Sequence, residues 1–306
     1  MTSVLLSQLA MMFLLLAIGF GARKTGFLPD GASKVFSALT MYIVVPCIMI
    51  SSASIPFQPQ LLRGAGQIVL FSLAAHGLPL YCIWAAARRR PHADASSAVF
   101  ACLVSLPNII FLGLPIVSTF LPETGGFYAA VYNVGYNVIF FTLGVRAVRG
   151  RGAFSPRSLL RNLPLWATLA MLLLFAFQIQ LPGAVSKAVS SMASMGTPLA
   201  LLVIGCDMAD ENLLSLFSSG RSYWACAIRL LAVPAAAFAV LKVLPLQQDV
   251  ALAVFVFCGL PCGTMSAMLA AEAGKEHAAF ASKTITLSTL LYALTLPLMS
   301  LLIPLL

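Results

Sequence analysis

The fold is decided by the stretch PNIIFLGLP at residues 107–115, which lies inside an otherwise unbroken apolar segment. A second stretch, GLPCGT at residues 259–264, interrupts another apolar segment. Their prolines, Pro107 and Pro261, are 261 − 107 = 154 residues apart. A proline inside a membrane-spanning helix removes a backbone hydrogen bond, and irregular backbone at that depth is tolerated only where it is buried in protein or lines a cavity. A matched pair of broken helices therefore predicts the binding site of a transporter.

The composition is that of a polytopic membrane protein. Residues are 60% hydrophobic and 9% charged, and the mean hydropathy is +0.98, which lies outside the range of soluble domains. We predict an all-α protein with about ten apolar segments of spanning length. Their approximate limits are residues 4–22, 32–53, 66–87, 97–120, 125–145, 160–179, 186–207, 222–243, 249–270 and 281–303.

Basic residues gather on one side of these segments. Of the eighteen Lys and Arg residues, fourteen lie after odd-numbered segments, three lie on the opposite side and Arg229 lies within a span. The positive-inside rule then predicts that both termini face outside and that the basic side faces the cytoplasm of a cell (inner) membrane. The net charge of +9 is explained by this face, so no nucleic-acid partner is expected.

Corresponding marks recur in the two halves of the chain. The pattern Ser-Lys-x-x-Ser at residue 33 recurs at residue 186, an offset of 153. Three further proline pairs follow in the same order, with offsets of 152, 155 and 154; they are Pro46 and Pro198, Pro79 and Pro234, and Pro107 and Pro261. We predict a five-helix repeat at 1–147, a short basic linker at 148–159 and a second repeat at 160–306. Because five is odd, the second repeat enters the membrane inverted.

Both breaks favour an anion site. Pro107, Gly113 and Pro115 interrupt the fourth segment, and the half-helix after the break directs its N–H groups and positive dipole end toward the gap. The side-chain amide of Asn108 can donate to a carboxylate; alternatively, it satisfies carbonyl groups that the prolines leave free. The second break offers the backbone of Pro261, Cys262 and Gly263 and the Thr264 hydroxyl. Neither break carries a carboxylate, which disfavours a proton or sodium antiporter.

Two further groups of polar residues lie within spans. Asn133, Tyr136 and Asn137 share one helix face, which either contacts substrate or forms an interhelical hydrogen bond. His76 and Arg229 are 229 − 76 = 153 residues apart and could raise the local positive potential for an anion. Alternatively, Arg229 extends to the basic face or pairs with Asp207.

Several of these motifs resemble a known family. Pro107-Asn108 followed by Leu112-Gly113-Leu114-Pro115 is similar to the crossover motif of the auxin efflux carrier superfamily, whose bacterial members include malonate and malate permeases. Similar runs are GTPLA at residues 196–200 and the segment from Ala281 to Pro297. The resemblance implies two inverted five-helix repeats with the bile-acid-symporter-like fold, crossed broken helices four and nine, an organic-anion substrate and a carboxylate contact at Asn108. The long loop of the plant carriers is reduced to a short basic linker, so its regulatory phosphorylation is not carried over.

We therefore expect a secondary transporter of mono- or dicarboxylates that works by alternating access, and no enzyme, cofactor or metal. A sodium-coupled organic-anion symporter and a membrane sensor or receptor are the alternatives. The expected partners are the organic anion and the lipid bilayer, with proton or sodium coupling and a homodimer left open. The cysteines lack metal-type spacing, and no convergent set of catalytic groups is present in the pattern.

Overall fold

The structure is a computed structural model, and it describes residues 2–89, 95–150, 157, 160–211 and 216–306. Within the first helix, the side chains of residues 2–6, 8 and 9 are not described. Most of the predicted linker at 148–159 lies outside the described residues. The described part is all-α and holds no strand, only one isolated backbone bridge, which confirms the all-α part of the prediction.

The main helices are numbered here in chain order. They are α1 (Thr2–Lys24), α2 (Ala32–Ser51), α3 (Pro59–Arg88), α4 (Ala95–Ser105), α5 (Ile109–Phe120), α6 (Gly125–Arg149), α7 (Leu163–Ala176), α8 (Gly183–Asp210), α9 (Gly220–Val243), α10 (Gln248–Gly259), α11 (Met265–Ala273) and α12 (Lys275–Ser300). A short 3₁₀ turn follows at Ile303–Leu305.

Six helices of the described part are long and apolar enough to cross a membrane: α2, α3, α6, α8, α9 and α12. Shorter apolar helices, α4, α5, α7 and α10, accompany them. Two helices extend beyond the predicted apolar segments, since α3 begins at Pro59 rather than near residue 66 and α12 at Lys275 rather than near 281. In both cases the helical hydrogen bonds continue into polar turns that hydropathy does not register. The ten-helix inverted arrangement stays a prediction.

Three of the prolines follow π-helical turns. The turns at Thr40–Val44, Ile109–Gly113 and Ile228–Ala232 precede Pro46, Pro115 and Pro234, each by two residues. A proline ring clashes with the carbonyl four residues earlier, and that carbonyl lies within the wider turn in each case. The π turn therefore accommodates proline without ending the helix.

The chain forms two compact units, and each takes segments from both halves of the sequence. The first unit comprises Met1–Arg63, Ile110–Val131 and Asn162–Asn212. In it α1 and α8 pack backbone to backbone: a Cβ on Gly19 would lie 2.4 Å from the Leu202 carbonyl oxygen, and one on Gly205 would lie 2.2 Å from that of Leu16. Small residues at such a contact let two helices approach closely.

The second unit comprises Gly64–Ile109, Tyr132–Arg161 and Leu213–Leu306. Its core includes α4, α10 and the middle of α12, whose side chains are largely buried. Buried hydroxyls join its helices; for example, Ser222 and Thr284 share a hydrogen bond of 2.9 Å between α9 and α12. The second unit contains Pro107 and Pro261, one proline from each interruption.

Candidate functional site

The structure interrupts the helix at both proline motifs and brings the two interruptions together. Helix α4 ends at Ser105 and α10 at Gly259, and Pro107 and Cys262 form an antiparallel bridge. The Asn108 N–H donates to the Pro261 carbonyl at 3.0 Å, and the Gly263 N–H donates to the Leu106 carbonyl at 2.7 Å. Each break therefore supplies hydrogen-bond partners for the other.

Glycine is required at one point of this contact. A Cβ on Gly263 would lie 2.5 Å from the Pro107 carbonyl oxygen and 2.9 Å from that of Leu106. Both neighbours are backbone atoms, so a side chain there could be accommodated only if the two breaks moved apart. The glycine allows the close backbone approach.

Arg229 caps the ends of both half-helices. Its side chain is 1% exposed, and its guanidinium donates to the carbonyls of Leu260 at 2.7 Å and Cys258 at 2.8 Å. Longer hydrogen bonds reach Phe257 at 3.2 Å and, on α4, Val104 at 3.3 Å. The arginine thus satisfies carbonyls that a helix C-terminus leaves without partners, and its charge opposes the negative end of the helix dipole.

His76 makes the corresponding contact at the first break. Its Nδ1 lies 2.9 Å from the Ser105 carbonyl oxygen, which can only accept, so Nδ1 carries the proton. Arg229 bonds Cys258, and both pairs are offset by 153, since 229 − 76 and 258 − 105 give the same value. The side-chain caps of the two half-helices therefore lie at equivalent positions of the sequence repeat.

The His76 ring is buried against two tyrosines. Its centroid lies 5.2 Å from that of Tyr132 and 5.6 Å from that of Tyr136, both in edge-on contacts. Its Nε2 has no hydrogen-bond partner among the described residues. Tyr132 also stacks on Phe257 at 4.4 Å. Sequence reasoning missed Tyr132, although its position one helical turn before Tyr136 places both on the same face of α6.

Arg229 has no carboxylate partner among the described residues. The ion pairs there join Arg23 to Asp30 and Asp210, and Arg149 to Glu272. In the part of the chain that the structure describes, Arg229 bonds only carbonyl oxygens, which reduce the cost of burying its charge but do not neutralise it. The paired breaks therefore lie beside an uncompensated positive charge.

Helix α12 supports the second break. Ser288 is fully buried, and its Oγ accepts the Cys262 N–H at 3.1 Å while donating to the Ile285 carbonyl at 2.8 Å. A buried N–H without a partner is costly, so Ser288 fixes the backbone directly after Pro261. The sequence pattern singled out the run around Ser288 but gave it no such role.

The other candidate residues differ in their surroundings. Asn108, Asn133, Asn137 and Tyr136 are buried, and the Asn137 amide donates to the Asn133 carbonyl of its own helix at 2.7 Å. Thr264 precedes α11, and its carbonyl accepts from the Ala267 N–H at 3.0 Å.

Three candidates belong to the first unit rather than the second: Gly113, Pro115 and Asp207. Asp207 accepts a hydrogen bond from Ser33 of the same unit. Arg229 belongs to the second unit and is bonded to carbonyls there, so it does not extend to the basic face. Within the described part, no group of three or more His, Cys, Asp or Glu side chains could hold a metal ion.

These features define a helical, multi-pass membrane protein with paired helix breaks. The model of a family described as membrane transport protein matches the chain over residues 4–156 and 151–300. The chain therefore belongs to this family, that of the auxin efflux carriers, and is a membrane transporter. No curated protein matches the chain.

Proposed function

We propose that the protein is a secondary carrier of small organic anions, namely mono- or dicarboxylates such as malonate or malate. It moves them by alternating access around the paired helix breaks. In this proposal the ten spans form two inverted five-helix repeats, and the broken helices cross at Pro107 and Pro261. The carrier lies in the cell (inner) membrane with both termini outside the cytoplasm.

The observation that carries the proposal is the uncompensated Arg229 charge beside the two paired breaks. The charge is buried, so solvent and salt screen it less than a surface charge. Half-helix α11 begins just after the second break, and its N-terminal N–H groups favour a negative ligand. A carboxylate bound there would supply the missing counter-charge, whereas a cation would be repelled.

The proposed roles of the binding residues follow from their chemistry. The Asn108 amide donates to one carboxylate oxygen and the Thr264 hydroxyl to another. The face formed by Asn133, Tyr136 and Asn137 contributes further donors. Arg229 and His76 do not touch the substrate. They donate to backbone carbonyls at the two breaks and so hold the backbone of the site in place.

Counterflow in proteoliposomes tests the proposal. Liposomes holding purified protein are preloaded with unlabelled malonate, malate or an aromatic monocarboxylate, and labelled substrate is added outside. We expect labelled anion to accumulate inside liposomes that hold the native protein and not inside those that hold Asn108→Ala. Ser194→Ala, which removes an exposed hydroxyl that bonds only within its own helix, serves as the control and should exchange normally.

The alternative outcomes are distinct. Accumulation that survives Asn108→Ala would keep the carrier but move its site. If folded protein exchanges no carboxylate, the anion proposal fails. Repeating the assay with and without sodium, and across a pH gradient, identifies the coupling ion, since uptake of a dianion against an inside-negative potential needs co-transported cations.

A further inference from the structure

A cavity of about 330 Å³ lies at one end of the second unit, between the last turn of α3, the first turn of α4 and the last turn of α6. Its lining includes Trp84, Arg88, Ser97 and Arg146. Among the described residues, no acidic side chain lines it. Arg149, which also lines it, forms an ion pair with Glu272. The cavity is therefore a basic pocket between membrane helices.

Two arginines of this pocket, Arg88 and Arg146, have charges that no ion pair among the described residues neutralises. The Arg88 guanidinium lies 5.0 Å from the centre of the Trp84 ring, a cation–π contact that holds the side chain without neutralising it. Two guanidinium groups without acidic partners suit a phosphodiester, whose oxygens accept paired N–H donors.

A second cavity, of about 730 Å³, adjoins the first and is mostly apolar. Ala87 and Ser97 line both cavities. The second is lined further by Ile83, Phe100 and Ile228, with Trp224 at its edge. Trp224 is 69% exposed, as expected of tryptophan at a membrane–water interface. A basic pocket thus opens onto an apolar groove beside an interfacial tryptophan.

Arg221 borders this groove and is not among the residues that line the basic pocket. Arg221 lies 5.0 Å from the Phe280 ring centre and 5.6 Å from that of Phe100, and it bonds Ser96. Its stem and guanidinium therefore form part of the groove wall. The groove offers apolar surface to a hydrocarbon chain, while Arg88 and Arg146 form its charged end.

We propose that the two cavities together bind one anionic phospholipid. Its phosphodiester lies between Arg88 and Arg146, and an acyl chain lies in the groove between α3, α4 and α9. The predicted orientation puts this end of the helices at the cytoplasmic leaflet, where basic pockets between membrane helices bind acidic headgroups. A free anion would use the basic pocket alone and leave the groove empty.

The test compares lipids of matched acyl chains on full-length protein in neutral detergent. Phosphatidylglycerol should raise the melting temperature more than phosphatidylcholine, because a ligand that binds only the folded protein stabilises it. In Arg88→Gln/Arg146→Gln the apparent affinity for phosphatidylglycerol should fall at least tenfold. Arg63→Gln removes one charge from the other end of α3 and should leave that affinity unchanged.

The groove is tested separately with Ala87→Trp, which fills the shared wall and should also weaken phosphatidylglycerol binding. Native mass spectrometry counts bound lipids and gives a second reading for any variant with low thermal stability. Equal stabilisation by both lipids, or full phosphatidylglycerol affinity in the double variant, would overturn the proposal. Full stabilisation by glycerol 3-phosphate would show that the pocket binds free anions instead.

Discussion

Gly263 lies so close to Pro107 that any side chain at residue 263 would meet the Pro107 carbonyl oxygen, at 2.5 Å from its Cβ. The contact joins residues from opposite halves of the chain. It holds the two helix breaks together through backbone atoms, with the Gly263 N–H bonded to Leu106 at 2.7 Å. Shape alone therefore restricts this position to glycine.

Gly263→Ala should separate the two breaks and abolish most transport. Overpacking of this kind costs about 1–3 kcal/mol of folding free energy, so the melting temperature should fall as well. Gly220→Ala is the matched control, because a Cβ there would meet nothing within 4 Å. The measurements are counterflow and thermal unfolding in detergent. Native exchange in Gly263→Ala would show that the contact is not needed for transport.

Arg229→Gln should lower both stability and transport. The substitution removes the buried charge and most of the donors to Leu260 and Cys258, and each buried carbonyl left without a partner costs roughly 1–3 kcal/mol. Arg229→Lys keeps the charge but offers a single donor point rather than a planar fork, so its stability should be intermediate.

The comparison of the two Arg229 variants separates capping from charge. If the charge attracts the anion, the lysine variant should keep an apparent affinity near the native value while the glutamine variant loses it. Equal affinities in both variants would assign Arg229 a purely structural role. Normal stability and normal transport in Arg229→Gln would contradict both roles.

Ser288→Ala should lower the stability of the protein at the second break without changing the backbone conformation there. The Cys262 N–H would lose its acceptor in a fully buried site, at a cost of about 1–3 kcal/mol. Thermal unfolding measures the loss, with exposed Ser194→Ala as the control. A melting temperature equal to that of the control would mean that another group takes over the N–H.

Gly19→Ala and Gly21→Ala form a matched pair within α1. A Cβ on Gly19 would lie 2.4 Å from the Leu202 carbonyl oxygen, whereas a Cβ on Gly21 would meet nothing within 4 Å. Replacing a helical glycine by alanine favours the helix by up to about 1 kcal/mol, so Gly21→Ala should be neutral or stabilising. Gly19→Ala should be destabilising because α1 and α8 must move apart. A melting temperature of Gly19→Ala equal to or above that of Gly21→Ala would contradict the close contact.

The site could be predicted only in part. The prolines predicted where both helices are interrupted. Asn108 and Arg229 were recognised as polar residues within predicted spans. The sequence left Arg229 with three interpretations, and the structure gives it carbonyl partners at residues 104, 257, 258 and 260. Such partners could not be predicted, because backbone carbonyls are the same at every residue and only packing brings them near.

The sequence by itself determined the membrane class, the helical fold and the places where helices break, since hydropathy, helix length and proline act locally along the chain. It also carried the repeat offset that relates His76 to Arg229. The tertiary structure alone decided which break meets which, why residue 263 must be glycine, and that Ser288 accepts the Cys262 N–H. These contacts join residues far apart in sequence, so they depend on how the helices pack rather than on any local preference.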